Sequence, residues 1–87
     1  MTRFVRNPAA RVKQVGAGVA LYIPSTEAVH SLNETAQLLF ECLEEPMSRD
    51  DLVELFLALT DGGRAEVEAD LDSMLLLFED LQIAVPS

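Results

Sequence analysis

The sequence predicts an α+β fold in which a three-stranded antiparallel sheet is followed by three helices. Three observations carry this. Arg11–Val15, Val19–Ile23 and Ala28–Leu32 are short runs rich in branched and small apolar residues, with turn residues between them. The rest of the chain holds three stretches whose apolar residues recur at helical spacing. The segment Ala28–Leu43, AVHSLNETAQLLFECL, joins the two halves and reads as a strand running straight into a helix.

Residues 1–10 read as a flexible basic arm and residues 11–87 as one domain. Asn7-Pro8 favours a turn and keeps Asn7 out of helix. Arg11–Val15 alternates charged and apolar residues, as a first strand does, and Gly16-Ala17-Gly18 has the glycines of a tight hairpin. In the second strand Val19, Leu21 and Ile23 share one face and Ala20 and Tyr22 the other. Pro24-Ser25-Thr26-Glu27 turns the chain back into the third strand, Ala28–Leu32. A sheet this small needs a helix on one face.

Asn33 stands where a side-chain oxygen caps a first helix, Glu34–Glu44, and Pro46 lies beyond its end. Ala36, Leu39, Phe40 and Leu43 fall on one face of it. Ser48 is the N-cap expected for a second helix, with Asp51 at the capping-box position and both Asp50 and Asp51 suiting the helix dipole. Leu52, Val53, Leu55, Phe56 and Leu59 make its buried side, and Asp61-Gly62-Gly63 ends it, with a glycine expected in the left-handed conformation. The third helix, about Arg64–Leu81, is the longest. Val67, Leu71, Met74, Leu75, Phe78 and Leu81 form its core stripe. Leu77 lies about 80° from Val67 and Leu76 almost opposite the core. These two leucines either face a ligand or partner, or pack under the N-terminal arm. Ile83–Val85 is a short extended tail, read as a final strand ended by Pro86.

Apolar content of 49% and charged content of 24% suit a globular chain and argue against wholesale disorder. The longest apolar run, Met74–Phe78, is far short of the roughly 20 residues that span a bilayer. No apolar segment follows the N-terminal arginines as in a secretory signal. One cysteine excludes an internal disulfide, so the expected setting is cytoplasmic, with no membrane partner. Charge is uneven. Arg3, Arg6, Arg11 and Lys13 lie in the first thirteen residues, whereas all fifteen acids lie after residue 26. An acidic body repels phosphate, so nucleic acid is not an expected partner; it suits a cationic partner or simply gives solubility.

Little here performs chemistry. One histidine and one cysteine cannot supply a zinc site, and there is no glycine-rich phosphate loop; neither metal, cofactor nor catalytic residue is expected. His30 reads as a half-buried structural residue or a ligand contact. Cys42 reads as a small buried hydrophobe, because its glutamate neighbours disfavour the thiolate. Glu44-Glu45 and Asp50-Asp51 sit at helix ends as solvated or capping acids. Asp72-Ser73-Met74 resembles the attachment site of acyl carrier proteins, but that serine begins a helix near mid-domain. Ser73 lies within a helical pattern, with fourteen residues after it.

The order of strands and helices, with Leu32-Asn33-Glu34-Thr35-Ala36 at the junction, resembles the PqqD-like family. The bulky positions Leu39, Phe40 and Leu43, the opening Ser48–Val53, and Val67-Glu68-Ala69-Asp70-Leu71 followed by Met74, Leu75, Phe78 and Leu81 resemble its three helices. One departure is Gln82, where many members carry glycine. The resemblance implies a winged-helix-like recognition element for ribosomally made peptide natural products, a binding protein and not an enzyme. Such proteins bind the leader segment of a precursor peptide and present it to a modifying enzyme such as a radical-SAM enzyme, cyclodehydratase or leader peptidase. The leader adds as a strand along the third strand, against the third helix. The residues implied are Ala28, Val29, His30, Ser31 and Leu32 on the edge, with Asp70, Met74, Leu77 and Leu81 on the helix. Asp70 would meet a basic leader residue or serve only as a solvated acid. The alternatives are a winged-helix DNA-binding regulator, with the third helix reading DNA, and an oligomerising adaptor using Leu76, Leu77 and the sheet edge.

Overall fold

The computed structural model describes residues 2–87. In chain order it contains β1 (Arg3–Arg6), β2 (Arg11–Val15), β3 (Gly18–Ile23), β4 (Ala28–Leu32), α1 (Glu34–Cys42), β5 (Met47–Ser48), α2 (Arg49–Leu59), α3 (Arg64–Asp80) and β6 (Ala84–Pro86). The expected meander is a sheet of order β2-β3-β4, antiparallel throughout. A second antiparallel sheet, of order β5-β1-β6, was not expected. The fold class is therefore α+β, with two small sheets around three helices.

The second sheet corrects the reading of the N-terminus. Arg3–Arg6 is not a flexible arm but the central strand, pairing Arg3 with Ser48, Phe4 with Pro86 and Val5 with Val85. Phe4 packs against the core. The Arg6 amide donates to the Leu43 carbonyl at 2.9 Å, and its guanidinium lies 4.8 Å from the centre of the Phe40 ring. The strand's partners lie more than forty residues away, so no local pattern marks it. Met1, also placed in the arm, lies outside the described residues.

The core unites Val19, Leu21 and Ile23 of β3, Leu39 and Phe40 of α1 with Leu43, Leu52, Val53 and Phe56 of α2, and Val67, Leu71, Leu75 and Phe78 of α3, closed by Ile83 and Ala84. The caps are as expected. Asn33 Oδ1 accepts from the Ala36 amide at 2.8 Å and Ser48 Oγ from the Asp51 amide at 3.2 Å. Two details differ. Leu59, expected inside, is exposed, because it is the last residue of α2 and the chain turns away there; Leu57 packs on the core instead. Neither Gly62 nor Gly63 is left-handed. Thr60 closes α2, its amide and hydroxyl both donating to the Phe56 carbonyl, while Gly63 is the N-cap position of α3. Gly62 instead gives close approach, since a Cβ there would stand 3.3 Å from Val67 Cγ2.

The end of α3 shows what Gln82 does in the place of glycine. It is left-handed, at φ 61. Its amide donates to Glu79, and the Ile83 amide donates back to Phe78, which is the paired closure of a Schellman motif with Phe78 and Ile83 both buried. A left-handed non-glycine residue costs about 1–2 kcal/mol. Two side chains hold it there: Asn7 Nδ2 donates to the Gln82 carbonyl at 2.8 Å, and Ser25 Oγ donates to Gln82 Oε1 at 2.5 Å.

Candidate functional site

The candidate binding element is the outer edge of β4. Gly16, at φ 63, opens the two-residue turn between β2 and β3, so Val15 and Gly18 form its hydrogen-bonded closing pair. Alternation from there makes Gly18, Ala20 and Tyr22 bond to β2, and Val19, Leu21 and Ile23 bond to β4. The partners of the latter, Leu32, His30 and Ala28, are thus occupied. Val29 and Ser31 direct their backbone N–H and C=O groups away from the sheet, with no strand beside them among the described residues.

Side-chain direction alternates as well. Ala28, His30 and Leu32 lie on the face of the core, opposite Ile23, Leu21 and Val19. The β3 residues are buried, yet their β4 neighbours are only half-buried. The core layer is therefore open beside β4. His30 Nε2 is buried and has no hydrogen-bond partner among the described residues.

Two contacts place α3 along this opening. Ser25, just before β4, bonds to Gln82 at the end of α3. Thr35, just after β4, lines a pocket of about 190 Å³ with Asp70 and Met74 from the middle of α3. Strand and helix thus run side by side in opposite directions. On α3 the buried face is Val67, Leu71, Leu75 and Phe78. Its flank is Asp70, Met74, Leu77 and Leu81, at spacings of four, three and four residues, which is one stripe. Met74 and Leu81 are half-buried against the core, whereas Leu77 and Asp70 are exposed. Leu76, on the opposite side, is also exposed, so neither leucine is buried beneath the N-terminal segment.

The nine residues singled out from the sequence thus lie on the two sides of a candidate groove, β4 and the flank of α3; of them, Asp70 and Met74 line the pocket. Sequence reasoning did not single out the other residues of that pocket, Thr35, Phe56, Thr60, Gly62, Glu66 and Val67, or the Ser25–Gln82 contact at the far end of α3. These come from four separate segments and share no spacing that marks them.

Electrostatics divide α3 lengthwise. Away from the groove, Arg49 binds Asp72 through two hydrogen bonds of 2.5 and 2.9 Å and lies 3.5 Å from Glu68. The guanidinium holds the Asp72 carboxyl below its ordinary range. Arg64, the one basic residue on α3, is paired with Glu54. On the groove side, Glu66 and Asp70 form no ion pair among the described residues. Cys42 packs on the core, and burial, with Glu41 adding, pushes its thiol pKa up; a neutral, unreactive thiol results. No cluster of metal-ligating side chains exists among the described residues.

Comparison with known proteins agrees with this architecture. Two solved structures are similar to it: lasso peptide synthetase B1 complexed with the leader peptide, at 23% identity and TM-score 0.79 over 95% of this chain and 98% of that one, and TbiB1 in complex with the TbiA(beta) leader peptide, at 20% identity and TM-score 0.80 over 92% and 93%. At these identities the likeness establishes the fold. No curated protein sequence matches. The family model of coenzyme PQQ synthesis protein D matches residues 18–82, from the first residue of β3 to the left-handed Gln82, and the chain belongs to the PqqD family.

Proposed function

We propose that this chain binds the leader segment of a ribosomally synthesised precursor peptide as an added strand on β4, in the groove against α3, and presents it to a modifying enzyme. The observation that carries this is the unpaired outer edge of β4, lying beside a flank of α3 that offers both apolar and acidic side chains. Backbone hydrogen bonds to Val29 and Ser31 supply affinity without regard to sequence. Side chains entering between Leu32, Met74, Leu77 and Leu81 supply selectivity. Both similar solved structures hold a leader peptide, which supports the same reading.

The role is one of binding, with no catalytic residue and no cofactor. The enzyme served is a peptide-modifying enzyme such as a radical-SAM enzyme, a cyclodehydratase or a leader peptidase, in the cytoplasm. A winged-helix DNA regulator is disfavoured by α3 itself, which carries six acids against one arginine that is already paired. The test is an NMR titration with the precursor peptide encoded beside the protein. Shifts centred on residues 28–32 and the α3 flank are expected; shifts confined to α1 or β1 would overturn the proposal.

A further inference from the structure

The sheet β2-β3-β4 has a second face, turned away from the helices, that no other element covers among the described residues. Cross-strand register puts Arg11, Tyr22 and Val29 in one row across it and Lys13, Ala20 and Ser31 in the next, with Val15 beside them. Three apolar side chains stand in solvent there, Val15 at 61%, Tyr22 at 38% and Val29 at 66% exposure. Arg11 and Lys13 lie about 7 Å apart along β2, two residues on one strand. Neither forms an ion pair among the described residues, and of the other basic residues Arg3 also forms none, whereas Arg6, Arg49 and Arg64 do.

We infer that this outer face is a second docking surface, taken by an acidic protein surface on the modifying enzyme; the inference rests on the leader-binding reading. The layout is an aromatic and aliphatic centre with a charged rim along one side, the anatomy of a protein interface. Its sign is opposite to that of the body, which carries fifteen acids and only two arginines after residue 13. The acidic body repels an acidic partner, and the two cations Arg11 and Lys13 favour its approach to this face. The exposed Tyr22, Val29 and Val15 need a dry complementary surface, which a phosphate backbone does not offer. A second copy of this chain would bring two bodies of net charge −9 together.

The face also adjoins the leader site. Val29 and Ser31 point their backbone groups at the incoming strand and their side chains onto this surface. An enzyme docked here would touch the loaded edge directly, without competing for the groove.

The experiment compares wild type with Arg11→Glu/Lys13→Glu, each loaded with leader peptide, for affinity toward the purified modifying enzyme encoded beside it. Every β2 residue is exposed, so the variant is expected to keep its fold, checked by circular dichroism. Leader affinity should stay within about twofold, while enzyme affinity falls by about tenfold or more and loses its salt dependence. Unchanged enzyme affinity would overturn the inference. So would a wild-type dimer in sedimentation that the variant abolishes, since the occupant would then be a second copy. Failure of wild type to bind leader at all would instead count against the proposed function.

Discussion

β4 and β2 are the two edges of the same three-stranded sheet, and they differ in every respect but hydrogen-bonding potential. Both leave alternate N–H and C=O groups unpaired, Val29 and Ser31 on β4, Val12 and Gln14 on β2. Beneath β4 lies a groove walled by α3. Beneath β2 there is no wall: even Val12, on the same face as the buried Leu21, is 54% exposed. An open edge is a template for any extended chain. It becomes a selective site only where side-chain pockets stand at its flank. The difference between the two edges is thus one of tertiary surroundings and not of strand sequence.

The largest effect that tests this difference is a matched pair of prolines. Val29→Pro removes an outward donor at the groove edge and should weaken leader binding by roughly 100-fold. Val12→Pro removes the corresponding donor on β2, where an edge N–H faces solvent, and should leave leader affinity within about twofold. Calorimetric titration of both decides the matter; equal effects would place the leader elsewhere.

Truncation of the inward residues sharpens the same contrast in stability. Leu32→Ala should cost about 1–2 kcal/mol in urea unfolding, because Leu32 packs on the core, and Val12→Ala less than about 0.5 kcal/mol. On the wall, Met74→Ala and Leu77→Ala should each weaken leader binding about 5- to 10-fold. Leu76→Ala, on the solvent side of α3, should change neither binding nor stability.

At the end of the groove, Gln82→Gly relieves the left-handed strain while losing the Ser25 contact, and a net gain of up to about 1 kcal/mol is expected in the urea midpoint. A loss would mean that the Ser25 hydrogen bond outweighs the strain. The smallest effect concerns pH. The Asp72 carboxyl titrates below its ordinary range because Arg49 binds it. Its contribution is therefore present above the unfolded value and is lost as pH falls through the folded one. Asp72→Asn should flatten the acid limb of the stability profile slightly, with leader binding unchanged at neutral pH; both groups are exposed, so solvent screens the pair.

The meander, the three helices, their two side-chain caps and the core stripe of α3 were legible in the sequence, because each rests on local chemistry. Alternation assigns faces, Asn33 and Ser48 bond to amides three residues on, and a helical period of 3.6 places Leu76 outside. The nine candidate site residues came from family resemblance and not from any spacing of their own; the structure sets them on β4 and on one stripe of α3.

Tertiary structure alone decided the rest. It made Arg3–Arg6 a central strand, because that strand's partners come from residues 47–48 and 84–86. It set Asn7 and Ser25 on Gln82 and so held a left-handed residue without glycine. It also chose between two edges of one sheet. Backbone groups are the same on both, and only the packing of α3 beside β4 makes one of them a groove.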